Sequence, residues 1–293
     1  MDIKKIILAG KIASEIKTWI KPQIKKGTSL LEIAEKIETK IIEMKGKPAF
    51  PTNLSINEIA AHYTPSYDDK TTAHGLLKVD FGVSIDGWIS DTAFSVDLEN
   101  SEKNKKLIEA SQKALEEAEK TIKEGITTSE IGEVIQKTIE YQGFSPIINL
   151  SGHQIKQYDL HAGITIPNIN DKGNTIISPG LYAIEPFATD GNGKVNDGKP
   201  SEIYSLIEYK NIRNPIAKEI QEYILEEYQQ LPFCSRWLIK KFGTRAMIGL
   251  SQLEQNGNLH QYSQLIESGK GIVAQSENTI LIDEKGNKTI TTK

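Results

Sequence analysis

The sequence predicts an α+β fold of two pseudosymmetric αβ halves, with a helical insertion in the second half. Three observations predict it. Residues 27–37 read GTSLLEIAEKI and residues 125–135 read GITTSEIGEVI, both of the form G-x4-E-I-x-E-x-I, 98 residues apart. An apolar strand follows each copy, GLLKVDFG at 75–82 and GLYAIEPF at 180–187, which sets Asp80 opposite Glu185. The stretch 206–268 then interrupts the second copy with apolar residues at helical spacing.

The chain starts with MDIKKIILAGKIASEIK, amphipathic and charged, without the apolar run or cleavage site of a signal peptide. The two repeat segments start as helices do. Ser29-x-x-Glu32 and Thr127-x-x-Glu130 are capping-box patterns, and each helix runs to a glycine, Gly46 or Gly143. After each glycine come a Phe, a Pro and the triplet Asn-Leu-Ser, at 53–55 and 149–151.

The first half closes in a hairpin. KVDFGVSI and WISDTAFSV flank Asp86-Gly87, a strong two-residue turn signal. With that turn, paired positions sum to 173, so Asp91 pairs with Gly82 and Asp80 lies two residues along the same face. Diagonal neighbours of this kind stand about 7–8 Å apart or slightly less. Gly82 leaves space opposite Asp91, while Val79, Phe81 and Val83 point into a core.

In the second half the matching return strand is GIVAQSENTILI at 271–282, carrying Glu277. Asp80 and Asp91 are 11 residues apart, but Glu185 and Glu277 are 92 apart, so 81 residues are inserted in the second hairpin. Residues 189–200, TDGNGKVNDGKP, read as a flexible loop, since no phosphate-loop pattern is present. NPIAKEIQEYILEEYQQL and RWLIKKFG read as helices, and SQLEQNGNLHQYSQLIESG as a helix, a turn and a short strand. The expected organisation is a body of residues 1–205 and 269–293 and a helical insertion subdomain at 206–268.

Composition removes several function classes. Lys plus Arg is 35 and Asp plus Glu is 39, a net charge of −4 that makes nucleic acid a poor partner. No apolar run spans a bilayer. Cys234, the one cysteine, excludes a disulfide framework and any CxxC metal or redox site, and fits a reducing, cytoplasmic home. Flanked by apolar residues, it reads as packing. No GxSxG elbow exists.

What remains is acid and imidazole. Asp80, Asp91, Glu185 and Glu277 all fall in apolar strand runs, where an unpaired carboxylate costs several kcal/mol. Too few basic residues share those runs to neutralise four acids. Metal ions would do so, and four carboxylates with one His make a dinuclear site for Co, Mn, Fe or Zn. Of the five histidines, His153 in NLSGHQI suits a ligand, and His161, eight residues on, suits a group that either supports the ligands from behind or contacts substrate. His62 ends a helix-like segment, INEIAAH, where a helix-capping role is the simpler reading. His74 and His260 read as ordinary surface or loop residues.

These residues sit in motifs that resemble the type 2 methionine aminopeptidases in their short archaeal form. The matching segments are FPTNLSINEIAAHYTP at 50–65, KVDFGVSIDGWISDTAF at 78–94, SGHQIKQYDLHAG at 151–163, AIEPFAT at 183–189 and AQSENTI at 274–280. LPFCSRWL at 231–238 resembles that subfamily's helical insertion, and the long insertion before Glu277 favours type 2 over type 1. On this resemblance the chain is expected to start almost directly at the catalytic domain, without the charged extension of eukaryotic members.

The resemblance implies a pita-bread fold and removal of N-terminal methionine by a hydroxide bridging two divalent metal ions, with a small second residue preferred. It implies that Asp80 chelates one ion, Asp91 and Glu277 bridge both, and His153 with Glu185 holds the other. Glu185 would also shuttle a proton as general acid and base. His161 would stabilise the oxyanion, and His62 would lie on the leaving side of the scissile amide. Phe50 and Leu160 would be walls of the methionine pocket. The implied partners are nascent polypeptide N-termini and the ribosome, for a monomeric enzyme. Two other readings compete: a proline-directed peptidase of the prolidase or aminopeptidase P type, and a catalytically inactive pita-bread protein that binds ribosomes or protein partners. The first would lack the helical insertion and the second would have lost metal ligands.

Overall fold

The computed structural model describes residues 1–293. Seven α-helices run in order: α1 (Ile3–Ile20), α2 (Leu30–Glu43), α3 (Glu102–Thr121), α4 (Thr128–Tyr141), α5 (Pro215–Glu227), α6 (Ser235–Phe242) and α7 (Ala246–Gln255). The strands between them form antiparallel sheets, and the α+β expectation holds. None of the helices is long and apolar enough to cross a membrane.

Both predicted helix starts are present. Ser29 caps α2 by accepting the Glu32 N–H, and Thr127 caps α4 with a complete capping box. The α2 box is only half formed, because the Glu32 carboxylate pairs with Lys36 one turn on, at 2.6 Å. Past α4, Gly143 takes a left-handed φ of 84°, but past α2 the left-handed residue is Lys45, not Gly46.

Each half has its own core. In the first, Val79, Phe81 and Val83 of the Leu76–Ile85 strand meet Ile12 and Ile16 of α1 and Ile33 and Ile37 of α2, all essentially buried. In the second, Ile131, Ile135 and Ile139, one turn apart on α4, meet Leu107 and Leu115 of α3 and Tyr182, Ile184 and Ile280 of the sheet. Each such side chain stabilises the fold by about 1.5–3 kcal/mol on burial.

The Leu76–Ile85 and Trp88–Asp97 strands pair in the predicted register, Gly82 opposite Asp91 and Asp80 opposite Ala93. Asp86 and Gly87 turn with φ of 49° and 82°, the two positive values that a two-residue turn matched to strand twist requires. In the second half the equivalent strands are each broken in two. Gly180–Ile184 pairs with Asn278–Ile282, and Phe187–Thr189 pairs with Val273–Gln275. Glu185 and Glu277 lie at the two breaks rather than within strands. An isolated bridge between Ala93 and Glu277 joins the halves.

Two local expectations are corrected. The polar stretch 189–200 is not all loop, since Val195–Leu206 is a strand paired along Leu259–Glu267. Its apolar alternation is hidden because five of its first six residues carry little burial, and bulges reset its register. The segment before His62 is not helical either. Asn53–Ile56 and Ile59–Ala61 are strands, turned at Asn57 with φ 50°, and the second pairs with Leu259–Glu267. Helices α5–α7 enclose a third core of Ile220, Ile224, Phe233, Leu238, Leu250 and Leu253.

Candidate active site

The strand pairing brings five predicted residues together. Asp80 and Asp91 project from one face of the first hairpin, two register positions apart. His153 comes from the Ser151–Ile155 strand, which pairs with Gly180–Ile184 just before Glu185. Glu277 is delivered by its bridge to Ala93. The His153 Nε2 stands 3.6 Å from Asp91 Oδ2 and 3.5 Å from Glu185 Oε1. Ligand atoms of Asp91, His153 and Glu277 all lie within 4.8 Å of one another.

The electrostatics call for cations. Asp80 Oδ1, Asp91 Oδ1 and Glu277 Oε1 are buried without a hydrogen-bond partner. No Lys or Arg forms an ion pair with any of the four acids. Burial pushes the Asp80 carboxyl up to about 7. Burial, then the charge of Asp80, raises Asp91 well above the usual carboxylate range. Burial and neighbouring acids do the same to Glu185 and Glu277. His153 is held neutral, near 3, chiefly by burial. Unpartnered hard oxygens around a neutral imidazole are the donor set of a divalent metal site, so these residues fit the ions that the sequence implies.

Bracing groups lie behind the cluster. Thr279 Oγ1 accepts the Asp91 N–H at 2.7 Å and donates to the Asp91 carbonyl at 2.8 Å. Thr92 Oγ1 donates to the Glu277 carbonyl at 2.9 Å and accepts from Lys17 Nζ, also at 2.9 Å. Gln275, unremarked in sequence, donates from one amide to Asp80 Oδ2 and to Glu277 Oε2, each at 3.4 Å. The signal that could have found it is an amide two residues before an acid in an otherwise apolar run. Lys78 lies buried, its Nζ donating to the carbonyls of Asn57 and Val273 and so tying the strand of Asp80 to the return strand.

A cavity of about 380 Å³ opens above the four acids and His153. Phe50 and Leu160 line it, as expected, and so do Ile203, Tyr262 and Leu265, which sequence reading missed. Those three sit on the two insertion-flanking strands, far along the chain from the motifs. The space left by Gly82 is taken up by a side chain. A Cβ there would lie 2.5 Å from the Phe50 ring, so glycine is what lets this pocket wall stand beside Asp91.

His62 and His161 flank the cavity on different elements. His62 holds a left-handed φ of 64°, uncommon for a non-glycine residue, which makes it a positioned group and not a helix cap. Its Nδ1 lies 3.2 Å from the Ser263 carbonyl, and burial pushes its pKa down to about 4. A carbonyl only accepts, so Nδ1 carries the proton and Nε2 keeps a free lone pair. His161 is exposed at the mouth, its ring edge-on to His153 with centroids 4.4 Å apart. His74 is an exposed loop residue, whereas His260 is exposed on a strand. Cys234 is buried and its thiol is pushed up to about 12 by burial, consistent with packing.

The family model for metallopeptidase family M24 matches residues 4–284. A methionine aminopeptidase of Methanocaldococcus jannaschii is 45% identical over 293 residues, 99% of this chain and 98% of that relative. Among solved structures, a thermophilic Arx1 superposes with a TM-score of 0.84 at 15% identity, over 98% of this chain and 90% of that one. A methionine aminopeptidase of Thermotoga maritima gives a TM-score of 0.71 at 23% identity, over 100% of this chain and 96% of that one. At those identities the two structures speak to the fold alone, and the fold is the pita-bread one. The match along nearly the whole sequence and the acid-and-imidazole cluster agree: this chain belongs to metallopeptidase family M24, alongside the archaeal methionine aminopeptidases.

Proposed function

We propose that Asp80, Asp91, His153, Glu185 and Glu277 hold two divalent ions (Co, Mn, Fe or Zn) at the base of a methionine-binding pocket. The observation that carries this is a trio of unpartnered, buried carboxylate oxygens under an apolar-walled cavity. The enzyme removes the N-terminal methionine of polypeptides in a metal-dependent reaction. In the proposed division of ligands, Asp80 would serve one ion, His153 and Glu185 the other, and Asp91 and Glu277 would be shared between them. Bound there, the ions supply Lewis acidity, polarising the scissile carbonyl and lowering the pKa of water to near neutral.

The chain's own groups do the rest. Glu185 takes the proton that water releases and passes it to the leaving amine as general acid. His161 donates to the developing oxyanion. His62, with Nδ1–H committed to Ser263, offers Nε2 to the N–H of the scissile amide and so fixes the leaving side. Phe50 and Leu160, with Ile203 and Leu265, admit an unbranched apolar side chain. His62 and Tyr262, ring centroids 5.4 Å apart, narrow the exit and favour a small second residue.

We place this activity on nascent chains, in the cytoplasm, in a monomer that works near the ribosome. We also treat 206–268 as an insertion subdomain in a body of residues 1–205 and 269–293, since α5–α7 have a core of their own. An inactive binding protein is disfavoured because all five ligand positions keep donor side chains.

The test is release of methionine from Met-Gly-Met-Met by metal-stripped protein, with and without Co²⁺ or Mn²⁺, beside Asp91→Ala. Metal-dependent release that the variant lacks supports the reading. Absence of release with any ion, together with no metal binding by calorimetry, transfers the case to the inactive alternative. His62→Ala and His161→Ala should lower kcat with metal content intact, and metal loss in either would overturn the ligand assignment.

A further inference from the structure

Lys17, on α1, puts a largely buried cation behind the acid cluster. Its Nζ donates to Thr92 Oγ1 and to Asn278 Oδ1, each at 2.9 Å. These acceptors directly follow Asp91 and Glu277 in the chain, the two acids proposed to be shared between the ions. Side chains alternate along a strand, so Asp91 faces the cavity while Thr92 faces α1. The Asn278 amide is held on the same back side, donating to Glu119 Oε1 at 2.6 Å and accepting from Thr292 Oγ1 at 2.9 Å.

One ammonium thus joins strands from the two halves of the molecule, at the residues next to the shared acids. The backbone link beside it is a single bridge, the Ala93–Glu277 pair, with bonds of 3.0 and 3.3 Å. Lys17 has both of these hydrogen bonds to neutral acceptors, and no carboxylate forms an ion pair with it. Burial lowers its pKa to about 8, against the pull of the Glu119 and Glu277 charges, so it is an ammonium at neutral pH. Burying a cation among neutral groups costs free energy that an apolar side chain would not incur. What the ammonium adds is the joint between the two strands.

We propose that Lys17 is a positioning residue of the metal site: held between Thr92 and Asn278, it fixes how far apart Asp91 and Glu277 stand, and so whether a second ion is retained beside the first. The proposal rests on the ligand assignment above. A purely electrostatic role has the opposite sign. A cation behind the acids repels incoming cations, so removing its charge alone would tighten ion binding. Weaker binding is therefore the mark of positioning.

The experiment titrates Mn²⁺ into metal-stripped protein by calorimetry and records electron paramagnetic resonance on the loaded samples. Wild type should bind two ions and give the signal of an exchange-coupled pair. Lys17→Met should weaken the second ion about 10–100-fold, the scale for groups that orient ligands, and leave the first within about threefold. Its spectrum should become that of isolated ions. Thr92→Val, which keeps the side chain's shape, should act in the same direction, and it carries the test alone where Lys17→Met does not fold. The two changes combined should lose less than the sum of the single losses. Lys17→Arg has donors for both acceptors and, for its bulk, a cleft of about 550 Å³ lined by Lys17 and Asn278, so it should restore the pair signal. Unchanged binding in either single variant, tighter binding in Lys17→Met, or equal weakening of both ions would overturn this role for Lys17 alone. A wild type that binds no ion would overturn the ligand assignment, and the role of Lys17 with it.

Discussion

Arg236→Met tests what holds the insertion to the body. Arg236 is fully buried on α6, and its guanidinium meets the Glu38 carboxylate of α2 through two bonds of 2.6 and 2.9 Å. Glu38 also accepts from Trp237 Nε1 at 2.8 Å and from the Thr52 N–H at 3.3 Å, and Arg236 Nε donates to the Pro65 carbonyl at 3.1 Å. Methionine matches the stem of arginine but leaves Glu38 charged, buried and without its cation. Breaking such a pair from one side costs about 3–5 kcal/mol. At roughly 2–4 °C per kcal/mol, the melting midpoint should fall by about 6–20 °C. Replacing both partners removes the stranded charge, so Glu38→Met with Arg236→Met should recover most of the loss. The assay is calorimetric melting at fixed metal loading. Thr52 and Pro65 bracket the segment carrying Asn53 and His62, so KM for a methionyl tripeptide should rise in the single variant and recover in the double. A single variant melting within about 1 kcal/mol of wild type, or a double variant no better than the single, would refute the reasoning.

Three further outcomes follow from the site. In metal-free protein the carboxyls of Asp80, Asp91, Glu185 and Glu277 are raised above the 3.8 and 4.5 of free Asp and Glu. The unfolded chain therefore releases these protons first, and stability is lost as pH rises from about 4 through the folded-state values, which reach about 7 for Asp80. The gain in melting midpoint on adding Mn²⁺ should thus be larger at pH 7.5 than at pH 5, and a pH-independent gain in calorimetry would contradict this. Gln275→Ala removes the amide shared by Asp80 and Glu277 and should weaken metal affinity about 10–100-fold by titration calorimetry, whereas unchanged affinity would show that the amide is idle. Gly82→Ala should drive the Phe50 ring off its seat, costing about 1–3 kcal/mol of stability and raising KM more than it lowers kcat; a wild-type KM would mean the pocket wall does not depend on that glycine.

The sequence made the front of the site readable and left its support obscure. Asp80 and Asp91 were placed by turn chemistry and period-two arithmetic, which are local. Glu185 and Glu277 were found through the internal repeat, although they sit at strand breaks that no apolar pattern marks. The helical reading of the segment before His62 fails because IAAH has the composition of a helix end, and what makes Ile59–Ala61 a strand is pairing with residues some 200 positions away. The same distance hid Ile203, Tyr262 and Leu265. Residues 195–200 resemble a loop in sequence because their polar side chains face out. What stabilises the turn before them is Glu267, whose carboxylate accepts the N–H groups of Asn192, Gly193, Gly269 and Gly271. Two of those amides lie some 75 residues away in sequence, and that half of the contact leaves no local signature.

The bridge between Ala93 and Glu277 has a consequence for how the molecule comes into being. Four of the five proposed ligands precede residues 206–268, but Glu277 follows them. A ribosome must therefore have translated the insertion and reached the closing strand before the cluster can be complete. Until then the acids of the first hairpin lack the strand that bridges to Ala93 beside them. Placing the seam of the two halves at the cluster makes its geometry depend on how the strand carrying Glu277 folds back onto the first hairpin.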